Sequence, residues 1–296
     1  MPLLLLLPRK PPWIPLGQPH SNRIPISPNW FRFESHPDSL YLRAKNQPHS
    51  RLMLRLLMTE TSSYQIFALG DNAVTIDLGN RICNGLNQKA LSIEAWVRSH
   101  PFPGLRDIIL GYSSLSVLYD PFQLHRKYKL QSTAFEFVKE KLEEAYLKTP
   151  DHQKVNEEII YLPVCYDADF GPDLSCISSK KQLEVEEIIQ IHLSKTYRVY
   201  MMGFLPGFPY MGEVDERIRV PRKLKPENVL AGSVGIANGQ TGIYPVNSPG
   251  GWQIIGRTPV KLFDAAASQP VKLKAGQTVQ FQRITIDEFH EMSAAQ

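Results

Sequence analysis

The chain has 296 residues, 43% of them hydrophobic, enough for about two domains of ordinary size with real cores. Its formal charge is +4, but eight cations against two anions before Met58 put +6 there and leave −2 for the remainder, so the patterned body has no basic footprint for nucleic acid. No apolar run approaches the ~18 residues of a membrane-spanning helix. Cys83, Cys165 and Cys176, odd in number and without CxxC spacing, argue against a disulfide framework or zinc site and fit a reducing cytoplasm.

Residues 1–57 carry prolines without period, and Leu3 to Leu7 is too short for a signal sequence. The expectation is a disordered basic extension, or sequence upstream of a natural start at Met58. From Tyr64 the pattern is regular. Two alternating runs, at 64–69 and 73–78, flank Gly70-Asp71-Asn72 and predict a hairpin. Leu86, Ala90, Ile93 and Val97 recur at helical spacing. Strand candidates follow at 105–112 and 116–120. Thr133 and Glu136 give a capping-box signal ahead of the stripe Phe135, Val138, Leu142, Tyr146. The order ββαββα over residues 58–150 predicts a small α+β layer, written here as an α/β, ferredoxin-like domain. A second domain, mostly β, is expected over 151–285, with 286–296 as a tail that is a short helix or a fraying end.

In that second domain, residues 158–166 read as a strand and Gly171-Pro172-Asp173-Leu174 as a loop. Val185, Ile188, Ile189 and His192 share one face of a short helix, and a strand is expected at 198–202. Residues 203–259 are dense in glycine, proline and aromatics. Turns are expected at Pro206-Gly207, Ala231-Gly232-Ser233, Asn238-Gly239 and Pro249-Gly250-Gly251. Short apolar runs lie between them, as in a barrel or compact sandwich. A strand with an internal turn at 274–277 is expected over 271–281.

His192 occupies an apolar-stripe position, so it is either a satisfied core histidine or a proton carrier facing a pocket. Arg222 and Arg257 lie beside turns, where a guanidinium can hold a carboxylate or phosphoryl group; the alternative is a surface arginine or a structural pair with Asp215 or Glu216. Phe204, Phe208, Tyr210, Tyr244 and Trp252 either line an apolar pocket or are core. Gln240, Thr241 and Ser248 are candidates to orient a small polar ligand. A P-loop and an HExxH motif are absent, and Ala231-Gly232-Ser233-Val234-Gly235 matches a serine nucleophile elbow only loosely.

The stretch GFLPGFPYMG (203–212), with Pro221-Arg222, AGSVGI (231–236), QTGIYP (240–245), SPGGW (248–252) and GRTP (256–259), resembles the signature of the KipI family. That family is associated with the B subunit of 5-oxoprolinase and is also called allophanate hydrolase subunit 1. The resemblance covers about residues 64–281, with Lys225-Pro226-Glu227 and Leu230 as departures. It implies an α+β N-terminal domain followed by a cyclophilin-like, mostly-β barrel. It implies ATP-dependent opening of 5-oxo-L-proline to L-glutamate together with the 5-oxoprolinase subunits A and C. With no nucleotide motif in the chain, ATP would be handled wholly or partly by a partner and the isolated chain would have little activity; no metal site is evident. It further implies catalytic roles for His192, Arg222 and Arg257. Substrate binding would fall to Phe204, Pro206, Gly207, Phe208, Tyr210, Gln240, Tyr244, Ser248, Gly250, Gly251, Trp252 and Thr258. Some family members are described as inhibitors of a sensor histidine kinase, a second reading. A peptidyl-prolyl isomerase is a third, resting on the implied barrel alone.

Overall fold

A computed structural model describes residues 64–150 and 159–295. The expectations for residues 1–57 and for the break at 150–151 fall on or against segments outside those residues.

The N-terminal layer is built from two hairpins. β1 (Gln65–Ala68) and β2 (Ala73–Asp77) pair antiparallel from Gln65↔Asp77 to Ala68↔Val74. β3 (Leu105–Leu110) and β4 (Ser114–Tyr119) form the second hairpin, and the sheet order is β1-β2-β4-β3. Between the hairpins runs α1 (Asn84–Ser99), which buries Ala90, Ile93 and Val97 as its spacing predicts. After β4 come α2 (Pro121–Tyr128) and α3 (Ala134–Lys148). Thr133 Oγ1 accepts from the Glu136 N–H at 3.2 Å and starts α3, which packs beside α1 over β2. The order is therefore ββαββαα with every strand pair antiparallel. This corrects the ferredoxin-like label, which requires βαββαβ.

α2 was not foreseen, because it buries the single side chain Leu124 and so has no apolar stripe to read. Its start signal is in the sequence nonetheless. Asp120 Oδ1 accepts from the Gln123 N–H at 3.0 Å, and Pro121 fills the first turn, where its missing N–H costs nothing.

The second half closes into a barrel. Its strands are β5 (Ile159–Cys165), β6 (Thr196–Met202), β7 (Pro209–Gly212), β9 (Ser233–Ala237), β10 (Gln240–Ile243), β12 (Gln253–Arg257) and β13 (Thr278–Ile284). They follow the order β10-β7-β6-β13-β5-β12-β9, and β9 pairs back onto β10. β5 and β13 run parallel; the other pairs are antiparallel. β8 (Glu227–Val229) and β11 (Ser248–Gly250) form a separate ribbon, so part of Pro249-Gly250-Gly251 is strand where a turn was expected. α4 (Leu174–Lys181), α5 (Val185–Leu193) and α6 (Ile286–Ala294) complete the fold. The segment 171–174, read as a loop, ends in the first residue of α4. Leu162, Val164, Ile188, Val199, Met211, Val234, Ile236, Ile255 and Phe281 meet in the barrel core. Among the described residues no helix is long and apolar enough to cross a membrane.

Layer and barrel are joined by a polar hub rather than by apolar contact alone. Asn87, on α1, is fully buried. Its Nδ2 donates to Tyr112 O at 3.0 Å and to Tyr200 O at 2.9 Å, while its Oδ1 accepts from Arg198 Nε at 3.1 Å. One side chain thus ties the β3–β4 turn to β6. Replacing Asn87 with leucine leaves two carbonyls and a guanidinium without this partner, at an expected cost of about 2–4 kcal/mol. Urea unfolding of the Asn87→Leu chain should show that loss as a lower midpoint.

Candidate functional site

Five aromatics gather beside the main barrel core at strand ends. Phe208 precedes β7, Tyr244 follows β10 and Trp252 precedes β12. Phe208 meets Tyr244 at 5.2 Å and 84°, and Trp252 at 5.4 Å and 83°. Tyr210 lies 5.9 Å from Trp252, and Phe204 stands 5.7 Å from Phe208 at 90°. These edge-to-face arrangements add to area burial. Phe208, Tyr244 and Trp252 are buried and Tyr210 is half-buried, so most of the cluster is packed core instead of an open pocket lining.

Phe204 is the exception, at 62% exposed. Its φ is +66°, and the Leu205 N–H donates to Gly203 O at 2.8 Å across it, a γ-turn of the rare positive-φ kind. A bulky residue held there stores roughly 1–3 kcal/mol of strain, a recurrent mark of functional sites. The turn after it is the expected Pro206-Gly207 reversal: Gly207 has φ +83°, and the Phe208 N–H donates to Leu205 O at 3.0 Å. Gly207 also borders a cavity of about 570 Å³ lined by Leu91, Ile108, Met202, Leu273 and Lys274.

Close approach explains Gly250. A Cβ there would lie 2.6 Å from Cζ of the Tyr244 ring, so only glycine lets β11 pass under that ring. Ser248 is two residues earlier on the same strand and therefore on the same face. Its Oγ is buried and has no hydrogen-bond partner among the described residues, an exception to the usual satisfaction of buried polar atoms. Gly251 lies beside Arg222, whose Nε and Nη2 are 3.5 Å from the position of a Cβ at 251. Arg222 is exposed. Burial raises the pKa of Tyr210 and of Tyr244, and the positive charge of Arg222 opposes the rise at both.

Three predicted site residues are set apart. His192 is wholly buried and closes a directed chain of hydrogen bonds. Thr241 Oγ1 donates to Gly235 O at 3.1 Å, so it accepts from His192 Nε2 at 3.1 Å. His192 Nδ1 is then the acceptor for the Tyr166 hydroxyl at 2.9 Å. The ring stacks on Phe281 at 4.7 Å, and burial lowers its pKa to about 3. A neutral imidazole with both nitrogens engaged and no route to solvent is the satisfied core histidine of the two readings, and the pocket-facing expectation is corrected.

Arg257 ends β12, while Trp252 precedes its start. Four residues of strand put it about 13 Å along from Gln253. Its Nε donates to Ala231 O at 2.8 Å, and its guanidinium lies 5.9 Å from the centre of the Phe289 ring. It braces a turn against α6, and it does not converge with Arg222. Thr258 is buried and bonds within the same turn, its N–H donating to Gly232 O at 2.9 Å. Gln240 turns to the layer, where its Nε2 donates to the Tyr112 hydroxyl. The expected pairing partner of Asp215 is also different: Arg217 holds it, at 3.0 Å.

Tyr112 and Asp173 were missed. Tyr112 comes from the β3–β4 turn and sets its ring 6.0 Å from Tyr210; burial pushes its pKa to about 12. Asp173 Oδ2 accepts from the Ile254 N–H at 2.6 Å and from Lys223 Nζ at 2.8 Å, and Lys223 also holds Glu227 at 2.6 Å. Burial pulls the Lys223 pKa down, but the two carboxylates outweigh it and the net shift is upward. Among the described residues no group of three or more His, Cys, Asp or Glu side chains is placed to hold a metal ion.

Two outcomes test this division between site and core. Phe204→Gly should keep stability within about 1 kcal/mol, since strain is relieved as contact is lost, whereas Phe208→Ala should cost about 3–5 kcal/mol in chemical denaturation. For His192 the folded pKa lies below the unfolded value near 6.5, so the unfolded chain binds more protons between pH 6.5 and 3. Its contribution is intact above pH 6.5 and falls by ~1.4 kcal/mol per unit below it. From pH 6.5 to 5, the wild-type chain should lose roughly 2 kcal/mol more than His192→Gln in paired urea titrations.

Residues 64–273 match the family described as "Carboxyltransferase domain, subdomain C and D". The chain is 42% identical over 232 residues to the B subunit of 5-oxoprolinase from Bacillus subtilis, covering 78% of this chain and 97% of that protein. It is 43% identical over 178 residues to the B subunit of 5-oxoprolinase from Haemophilus influenzae, covering 59% and 78%. The crystal structure of TTHA0988 superposes with a TM-score of 0.61 at 32% identity, over 72% of this chain. The match spans 40% of that longer protein's length. The chain belongs to the carboxyltransferase-domain family, subdomains C and D, and within it to the group of 5-oxoprolinase B subunits.

Proposed function

We propose that the chain serves as the B subunit of a 5-oxoprolinase, opening 5-oxo-L-proline to L-glutamate with ATP in company with subunits A and C. The observation that carries this is the 42% identity reaching over 97% of the Bacillus subtilis protein. On this reading the barrel is cyclophilin-like, and the site is the surface around Phe204, Tyr210, Arg222 and Ser248. A strained exposed aromatic, an orphan hydroxyl and an exposed guanidinium belong together there as parts completed by a ligand or a partner.

The local charge supports a division of labour over ATP. Lys223 is already shared between Asp173 and Glu227, so it adds no free positive charge beside Arg222. A triphosphate needs more positive charge than one guanidinium, which favours nucleotide binding by a partner subunit. Opening the lactam requires activating a resonance-stabilised amide. Transfer of the ATP γ-phosphoryl group to the lactam oxygen, with release of ADP, would open the ring carbon to a first water; the ring C–N bond then breaks to free the amine and leave an acyl phosphate, and a second water releases phosphate and the glutamate carboxylate. The unpaired, partly exposed cysteines fit a cytoplasmic setting for the complex.

The test is reconstitution with subunits A and C, following glutamate release and ATP hydrolysis together. Coupled turnover in the complete mixture, and little in this chain by itself, is the expected outcome. Full turnover by the chain alone contradicts the division of labour. No turnover in an assembled complex contradicts the function.

A further inference from the structure

We propose that the free edge of β3 is a docking site for an extended, apolar segment of a partner protein, which adds as a strand beside Leu110. This does not depend on the 5-oxoprolinase reading.

The cavity of about 570 Å³ touches Ile108, Ile109 and Leu110, three residues in a row. Side chains alternate across a strand, so a cavity that reaches all three runs along the edge of β3 and not over one face. The other edge of β3 is taken by β4. The Gly111 N–H donates to Ser114 O at 2.8 Å, so 111 and 114 are a hydrogen-bonded pair. Alternation along the register makes Ile109 and Ser116 the next such pair, and it points the main-chain groups of Ile108 and Leu110 away from β4. The cavity therefore occupies the place of a further strand, about 4.8 Å from β3.

α1 follows this edge and satisfies it at two points only. Arg98 Nη2 donates to Ile108 O at 3.4 Å, and Asn87 Nδ2 donates to Tyr112 O at 3.0 Å. The Ile108 N–H is met by Asp107 Oδ1 at 2.7 Å. Between Asn87 and Arg98, on the same helix face, come Leu91 and Glu94, and both border the cavity. Neither serves Leu110: one is apolar, and the other is an acceptor bound to Arg98 at 2.8 Å. Toward the cavity, the Leu110 N–H and C=O have no hydrogen-bond partner among the described residues. A donor and an acceptor of one residue, side by side on a strand edge, are what a facing strand pairs with.

The walls select the occupant. Met202, Leu273 and Ala275 border the cavity from the barrel half. Of its charged residues, Glu94 is held by Arg98 and Lys274 is exposed, so neither demands a buried counter-charge. A peptide with short apolar side chains satisfies both the walls and Leu110, whereas an apolar molecule without an amide satisfies the walls alone. The bulge between Leu105 and Asp107 interrupts the edge at its far end, so the pairing is short and centred on Leu110.

The experiment pans a displayed library of seven-residue peptides, apolar at alternate positions, on the purified full-length chain. Enriched peptides are synthesised, their Kd is measured, and hydrogen exchange of the Leu110 amide is followed by NMR. Saturable binding should slow that exchange about tenfold or more. Methylating the peptide nitrogens one at a time should weaken binding about tenfold or more at alternate residues and less than about twofold at those between. Ala275→Trp, which fills the cavity, should abolish binding at an unchanged urea midpoint; if that variant does not fold, the methylation scan decides alone. No enriched peptide, unchanged exchange at Leu110, or equal weakening at every methylated position overturns the proposal. Self-association of the chain that Ala275→Trp abolishes would put a second copy on the edge, and that overturns it as well.

Discussion

Burying an amide side chain is costly unless every polar atom finds a partner, and Asn87 meets that condition by reaching into both halves of the molecule. Its partners are two main-chain carbonyls and one guanidinium, which are directional and do not slide as methyl groups do. The hub therefore fixes how the β3–β4 turn sits on β6. Tyr112 rides on that turn, and this is why a residue of the N-terminal layer stands against Tyr210 and accepts from Gln240. The aromatic site is thus shaped by both halves, although nearly all of its residues belong to the barrel.

A second polar device works inside the barrel. The chain from Tyr166 through His192 and Thr241 to Gly235 links the residue after β5 with α5, β10 and β9. Each hydroxyl and ring nitrogen has one role, so the chain has one direction and the imidazole one tautomer. A hydrogen-bonded histidine at the centre of an apolar barrel specifies which strands close together, and it does so only while neutral. Its place on an apolar stripe has a structural explanation that needs no substrate.

Stability and function divide by location. Phe208, Tyr244 and Trp252 pack as core, with Gly250 letting β11 approach the Tyr244 ring. Around them lie the positive φ of Phe204 and the unpartnered Ser248 hydroxyl, with the exposed Arg222 beside Gly251.

Periodicity by itself determined the hairpins of the layer, α1, α3, α5 and the barrel strands other than β7, because each buries one face and so writes its period into the chain. The same rule explains the misses. α2 buries one residue, and α4 begins inside a Gly-Pro-Asp run that has the composition of a loop. The family signature brought Phe204, Tyr244, Trp252 and Arg222 forward as a set. Only the tertiary structure decided that His192 faces inward to Thr241 and Tyr166, that Arg257 braces a turn far along β12, and that Tyr112 joins the cluster from about a hundred residues away. These depend on which strands become neighbours when the barrel closes and on where Asn87 holds the layer. Such contacts are set by long-range pairing and hydrogen-bond direction, which local pattern does not encode.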